Sequence, residues 1–295
     1  MKPSPPHLDT TGQLLRRITT ELGTRLARVT PHGTRRPDAP ALVLVAHGSR
    51  DPRTLTTVTA LRDAVRALRP GLDVRLGHIE LNEPLLTHTL DGLGAAHPQA
   101  ADGAVLVPLL LGRGHHVKHD IPTAAATARA AHPRLTTRVA APLGPHPLLA
   151  EALHARLVEA GWPTGAPPRG LGVVLAAAGS RDPDYAADTQ HAAALLARRV
   201  GAPVTPAYAA PTARTPTTVP EALRALAGRG VRRAAVAAYF TAPGRFATQA
   251  ADAAPWLAAA PLGAHPALAA LVLHRYDQAR RAAPALTAAR RLTSA

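Results

Sequence analysis

A pentapeptide that occurs twice governs how this chain can fold. Gly48-Ser-Arg-Asp-Pro52 returns letter for letter as Gly179-Ser-Arg-Asp-Pro183, and each copy follows a short apolar run, Ala41–Ala46 and Gly172–Ala178. A second echo closes each half: Pro142-Leu-Gly-Pro-His-Pro147 and Pro261-Leu-Gly-Ala-His-Pro266. Two echoes in the same order mean an internal duplication, so the two halves share one fold. The span from Gly48 to Pro142 exceeds that from Gly179 to Pro261 by 12 residues. The second copy is therefore expected to lack a full fourth strand.

A short continuous apolar run reads as a strand buried on both faces of a parallel sheet. Ala41–Ala46 is the first such run. A helical pattern follows it, with Leu55, Val58, Leu61, Val65 and Leu68 on one face, until Pro70 and Gly71 stop it. Val74–Ile79, Ala104–Leu111 and Leu135–Ala141 read as further strands. Leu85–Leu93, a segment opening at Asp120-Ile-Pro122, and Leu148–Glu159 read as helices, with Asp120 as an N-cap. Alternation of this kind predicts an α/β fold in which each half is a small parallel sheet with helices on both faces. The expected boundaries are a partly ordered extension over 1–40, a first half over 41–160, a Gly/Pro-rich linker over 161–170, a second half over 171–282 and a tail over 283–295. A weak helical patch is expected at Gln13–Arg28.

Composition excludes several classes of function. The chain has no cysteine, which removes disulfides, thiolate metal sites and cysteine nucleophiles, so any metal must be held by His, Asp or Glu. It carries 34 Lys and Arg against 19 Asp and Glu. Basic runs interleaved with aromatics are missing, so the charge predicts no nucleic-acid partner and is compatible with an acidic small molecule. No apolar run approaches a membrane span, and the N-terminus lacks an apolar signal-peptide core, so a cytoplasmic protein without a membrane partner is expected. Neither a Walker pattern nor a Gly-x-Ser-x-Gly elbow is present.

Duplication lets one half serve as a control for the other. His47 stands where the second copy has Ala178. Glu80 and Glu83 lie in a segment whose counterpart, Ala207-Tyr-Ala-Ala210-Pro, has no acid. His115-His116-Val-Lys118-His119-Asp120 faces Arg245-Phe246-Ala-Thr-Gln249. Fold signals persist in the second copy and the ligand-type side chains do not, so these side chains point to chemistry needed once. His47, Glu80 and His116 all fall at carboxyl ends of parallel strands, where open α/β sheets bind ligands. Two imidazoles and a carboxylate make a three-ligand set suited to Fe, Co, Ni or Zn. Glu83 is a rival for the acid, and His115 and His119 are rivals for the second imidazole. His146 and His265, each before a proline, read as structural. His97, His132, His154, His191 and His274 read as surface residues.

At these residues the chain resembles the class II chelatases of the sirohydrochlorin cobaltochelatase and ferrochelatase family. The segments that carry the likeness are Ala46-His47-Gly-Ser-Arg50, Ile79-Glu80-Leu-Asn-Glu83-Pro84, and Val107–Gly112 running into His116-Val-Lys-His-Asp120-Ile-Pro122. The resemblance is strong over 41–160 and degenerate over 171–275. It implies tandem chelatase-like half-domains with one surviving site, His47 and His116 serving metal binding and catalysis with Glu80 assisting. It also implies a substrate, sirohydrochlorin, that bears eight carboxylates. Metal insertion for siroheme or cobalamin would need no ATP and no cofactor beyond the metal substrate, Fe2+, Co2+ or Ni2+. A monomer is expected, because the second half supplies within the chain the wall that short members obtain from a partner. Ser49, Arg50, Arg113, Lys118 and Arg245, with Arg53 and Arg181 nearby, are expected to hold the tetrapyrrole's carboxylates. The alternative is a non-enzymatic tetrapyrrole or metal carrier on the same fold.

Overall fold

The computed structural model describes residues 39–96 and 103–282. The expected extension, its Gln13–Arg28 helix, His97 and the tail lie outside the described residues, apart from the extension's last two positions. Each half builds one four-stranded parallel sheet. In the first half β1 (Ala41–Ala46), β2 (Val74–His78), β3 (Gly103–Pro108) and β4 (Thr136–Val139) lie in the order β2-β1-β3-β4. In the second, β5 (Leu171–Ala177), β6 (Val204–Tyr208), β7 (Arg233–Ala238) and β8 (Leu257–Ala258) repeat that order. The two-residue β8 is the truncated fourth strand that the spacing predicted, and the preceding helix is shortened as well. The helices are α1 (Pro52–Leu68), α2 (Leu86–Ala96), α3 (Ile121–Ala131), α4 (Pro147–Glu159), α5 (Pro183–Val200), α6 (Val219–Gly228), α7 (Arg245–Asp252) and α8 (Pro266–Arg281).

The pentapeptide is repeated because its glycine, serine, aspartate and proline each have a mechanical task. Gly48 and Gly179 have φ of +103° and +101°. A Cβ on either would lie 1.8 Å from the Glu80 carbonyl oxygen or 2.1 Å from that of Ala210, so only glycine fits. The Ser49 and Ser180 hydroxyls accept from the Asp51 and Asp182 amides at 3.1 Å. Those aspartates cap α1 and α5, and the prolines open the helices. His146 and His265 cap α4 and α8 by accepting from the Leu148 and Ala267 amides at 3.2 and 3.1 Å. Both are structural, as expected from their presence in both copies.

The halves do not keep their helices to themselves. α2 and α3 cover the outer face of the first sheet, and α6 and α7 that of the second. Between the sheets lie α1, α4, α5 and α8. There α8 packs on β3 and β4 of the first half, while α4 packs on β7 of the second. The last helix of each half thus completes the other half's sheet. One apolar cluster, containing Leu44 and Val107 as well as Leu175 and Tyr276, runs through both halves. The Arg69–Asp277 fork, with its shorter contact at 2.7 Å, and the Tyr276 hydroxyl donating to Pro40 O at 2.7 Å stitch it at the rim.

Three expectations need correction. Leu55 and Leu68 continue the periodicity of α1 but are exposed, and only Val58, Leu61 and Val65 are buried. Trp162, at the start of the expected linker, is buried in the shared core. Asp120 is not an N-cap. The chain is already helical through a π-turn, His116–Asp120, that runs straight into α3, and the Asp120 side chain caps nothing.

Candidate active site

The carboxyl ends of both sheets open into one cleft of about 1420 Å³, lined by residues of both halves. The two sides are built on equivalent frames. The Glu80 amide donates to His47 O at 3.0 Å as the Ala210 amide donates to Ala178 O at 2.8 Å. The Leu109 and Tyr239 amides donate to Val45 O and Ala176 O. This register places Ala178, Ala210, Arg245 and Phe246 at the positions of His47, Glu80, His115 and His116, in agreement with the sequence alignment of the copies. The frames also interlock. The Tyr239 hydroxyl donates to Leu111 O at 3.0 Å, and the Thr241 hydroxyl to Leu109 O at 2.9 Å. Burial pushes the Tyr239 phenol far up, and the Tyr185 phenol beside it up to about 12, so both stay neutral.

His47 and His116 both line the cleft, and their rings meet edge to face with centroids 4.5 Å apart. Glu80 sits beside them without lining the cleft. Its carboxylate lies 3.5 Å from His47 Nδ1. His47, Glu80 and His116 are not gathered about one point as a ligand set: among the described residues no three His, Asp or Glu side chains are disposed to hold one ion. The reason is local. Glu80 turns to His47, and His116 Nδ1 is engaged by Asp120 Oδ2 at 2.5 Å. With Nδ1 as the donor, Nε2 of His116 keeps the lone pair that a metal or a proton requires. Asp120, read from the sequence as a cap, is thus a site residue that the sequence reading missed. Its i, i+4 spacing from His116 on a helical turn was the available signal.

Of the rivals, Glu83 and His119 fall away from this centre, whereas His115 lines the cleft with its ring centroid 6.3 Å from that of His116. Glu83 accepts from the Leu85 amide at 2.9 Å and pairs with His88 at 3.1 Å, and these contacts hold its carboxyl below the usual range. It does not line the cleft. His119 is exposed and stacks against His115, which reaches Asp120 at 3.5 Å.

The expected carboxylate clamps divide. Arg50 and Arg245 line the cleft, and the Arg245 guanidinium sits over the Phe246 ring, 4.8 Å from its centroid. Arg113 lines the cleft but is engaged across the halves, donating to Asp188 at 2.6 and 2.9 Å with Asp184 at 3.3 Å. Those carboxylates hold its guanidinium firmly charged. Lys118 does not line the cleft. It pairs with Asp182 at 2.7 Å and Asp184 at 3.0 Å. Arg53 folds back on Asp51, and Arg181 lies outside the lining. The Ser49 hydroxyl is committed as an acceptor in the turn, as Ser180 is in the half that has Ala178 in place of His47, so its conspicuous role is structural. Arg113 and Lys118 thus tether the histidine-bearing turn to α5. The acids that take them up lie more than 60 residues away, beyond the reach of local pattern reading.

A family model described as CbiX matches residues 41–160 and again 172–279. A sirohydrochlorin ferrochelatase of Bacillus subtilis is 29% identical over 160 residues, 54% of this chain and 59% of that protein. A sirohydrochlorin cobaltochelatase of Methanococcus aeolicus is 34% identical over 82 residues, 28% of this chain and 55% of that protein. The matches span little more than half the length of these curated relatives. The structure of SirB from Bacillus subtilis with Fe3+ superposes with a TM-score of 0.65 at 23% identity, covering 82% of this chain and 95% of that one. That likeness shows the same fold.

Proposed function

Because the chain belongs to the CbiX family, matched in both halves, we propose that it inserts a divalent metal ion into a sirohydrochlorin-type tetrapyrrole, in siroheme or cobalamin formation. The observation that carries this reading is the pair of imidazoles, His47 and His116, meeting in the cleft of one half only. Insertion exchanges two pyrrole N–H protons for one M2+. It needs a metal held loosely enough to leave, a base, and a wall that positions the ring. Two imidazoles with open positions bind Fe2+, Co2+ or Ni2+ without enclosing it, which suits an ion that is substrate and must depart. Glu80, at the edge of the cleft and in reach of His47, is placed to take up protons that His47 accepts. Arg50 and Arg245 are the cations placed to receive substrate carboxylates. No nucleotide enters this scheme, so insertion runs without ATP. The second half supplies the far wall, so the monomer is the active unit, and the cytoplasm is its place of work.

The test is anaerobic insertion of each metal into sirohydrochlorin, followed by absorbance, with wild type, His47→Ala and His116→Ala. Both variants are expected to retain the wild-type unfolding temperature and lose most insertion. Wild-type rates in both would overturn the site. A carrier would bind metal and macrocycle without accelerating their union, and the same assay separates the two.

A further inference from the structure

Resting on the metal-insertion reading, we propose that Leu81 is a substrate-contacting residue, its side chain held in the cleft to pack against the flat face of the macrocycle. Among the described residues Leu81 is the single non-glycine with positive φ, at +66°. It is also the most exposed large hydrophobic residue, at 54%, and it lines the cleft. The Asn82 amide donates to Glu80 O at 2.8 Å, so Leu81 is the centre of a three-residue γ-turn of the rare, strained hand. A branched side chain gains nothing from that backbone, where its Cβ crowds the carbonyl oxygen. It gains little from water either.

Such a conformation persists only where its surroundings impose it. Three contacts do so here. The Glu80 amide is fixed to His47 O, Asn82 Oδ1 accepts from the Ser49 amide at 2.7 Å, and Gly48 admits the Glu80 carbonyl where any Cβ would collide. The second half shows that the fold itself does not need the strained residue. Its frame is pinned the same way, through the Ala210 amide on Ala178 O and Gly179 against the Ala210 carbonyl. Yet Pro211 stands in the place of Leu81, and its ring confines φ to negative values. The strained leucine therefore accompanies the histidines and not the architecture. Placed directly after Glu80, an exposed isobutyl group offers a ring face van der Waals contact beside the imidazoles.

The experiment uses Leu81→Gly, Leu81→Asn and Leu81→Met. It reads the unfolding temperature, the dissociation constant for metal-free sirohydrochlorin by fluorescence titration, and Co2+ insertion. Glycine and asparagine tolerate positive φ, so both variants should unfold at or above the wild-type temperature. Both should bind the macrocycle about tenfold more weakly, as expected for a lost apolar contact in a pocket, with the KM for Co2+ unchanged. Methionine should stay close to wild type. Wild-type macrocycle affinity in Leu81→Gly, or a Leu81→Met as weak as Leu81→Gly, overturns the proposal and leaves metal insertion standing. Weakened macrocycle binding in the variants, with no insertion by the wild type, supports the contact and overturns the insertion reading.

Discussion

Replacing Asp188 by Asn tests whether Arg113 serves the fold or the substrate. The Asp188 side chain is 8% exposed and accepts from the Arg113 amide, Nε and Nη2 at 3.2, 2.9 and 2.6 Å. Breaking a fully buried pair costs about 3–5 kcal/mol. The Arg113 side chain is 44% exposed and keeps Asp184 at 3.3 Å, so much of that cost is relieved by water and by the second carboxylate. About 2 kcal/mol remains, which for a chain of this size lowers Tm by about 4–8 °C. Urea unfolding of wild type, Asp188→Asn, Arg113→Met and the double variant measures the coupling directly, and about 1 kcal/mol or more is expected between touching residues. Insertion should slow in the single variants, because the tether fixes the turn that carries His116. If the double-mutant coupling is indistinguishable from zero while Arg113→Met raises only the KM for sirohydrochlorin, Arg113 is a substrate clamp and the tether argument is wrong.

Glu80→Gln should slow insertion more than Glu83→Gln, since Glu83 is spent on the Leu85 amide and His88; the reverse order in parallel rate assays would move the acid to Glu83. Arg245→Ala should raise the KM for the tetrapyrrole and leave that for the metal unchanged, and an effect confined to metal dependence would contradict its place in the wall. Burial lowers the pKa of His78, and it lowers those of the capping His146 and His265 as well. Below about pH 6.5 the unfolded chain therefore takes up protons that the folded one resists, so stability holds above that pH and falls beneath it. His146→Asn with His265→Asn keeps both caps without titrating, and should flatten the loss between neutral and mildly acid pH; an unchanged pH dependence of Tm would reject this cause.

The frame of the site was legible in the sequence because its constraints are local. Glycine at a positive φ, serine in the turn, aspartate at the cap and proline at the first helical position are each dictated within a few residues. That is why Gly48–Pro52 and Gly179–Pro183 could be matched, and why Ala178 marked His47 as dispensable to the fold. What escaped was set by distance. The carboxylate partners of Arg113 and Lys118 were out of view because Asp182, Asp184 and Asp188 lie far along the chain. Asp120 looked like a cap because a π-turn ahead of α3 leaves no trace in hydrophobic period. Leu55 and Leu68 obeyed the period of α1, yet periodicity says which side of a helix is apolar and not how far along the helix a neighbour extends.

The exchange of final helices has a consequence for how the molecule can be divided. Scission between Trp162 and Gly170 would leave a first fragment whose β3 and β4 lack their inner cover, and a second whose β7 does. Neither piece could be prepared alone without exposing apolar sheet to water, but each carries the helix the other is missing. The two fragments, expressed together, should assemble as a heterodimer with the cleft intact. The peptide connection would then raise local concentration without defining the architecture.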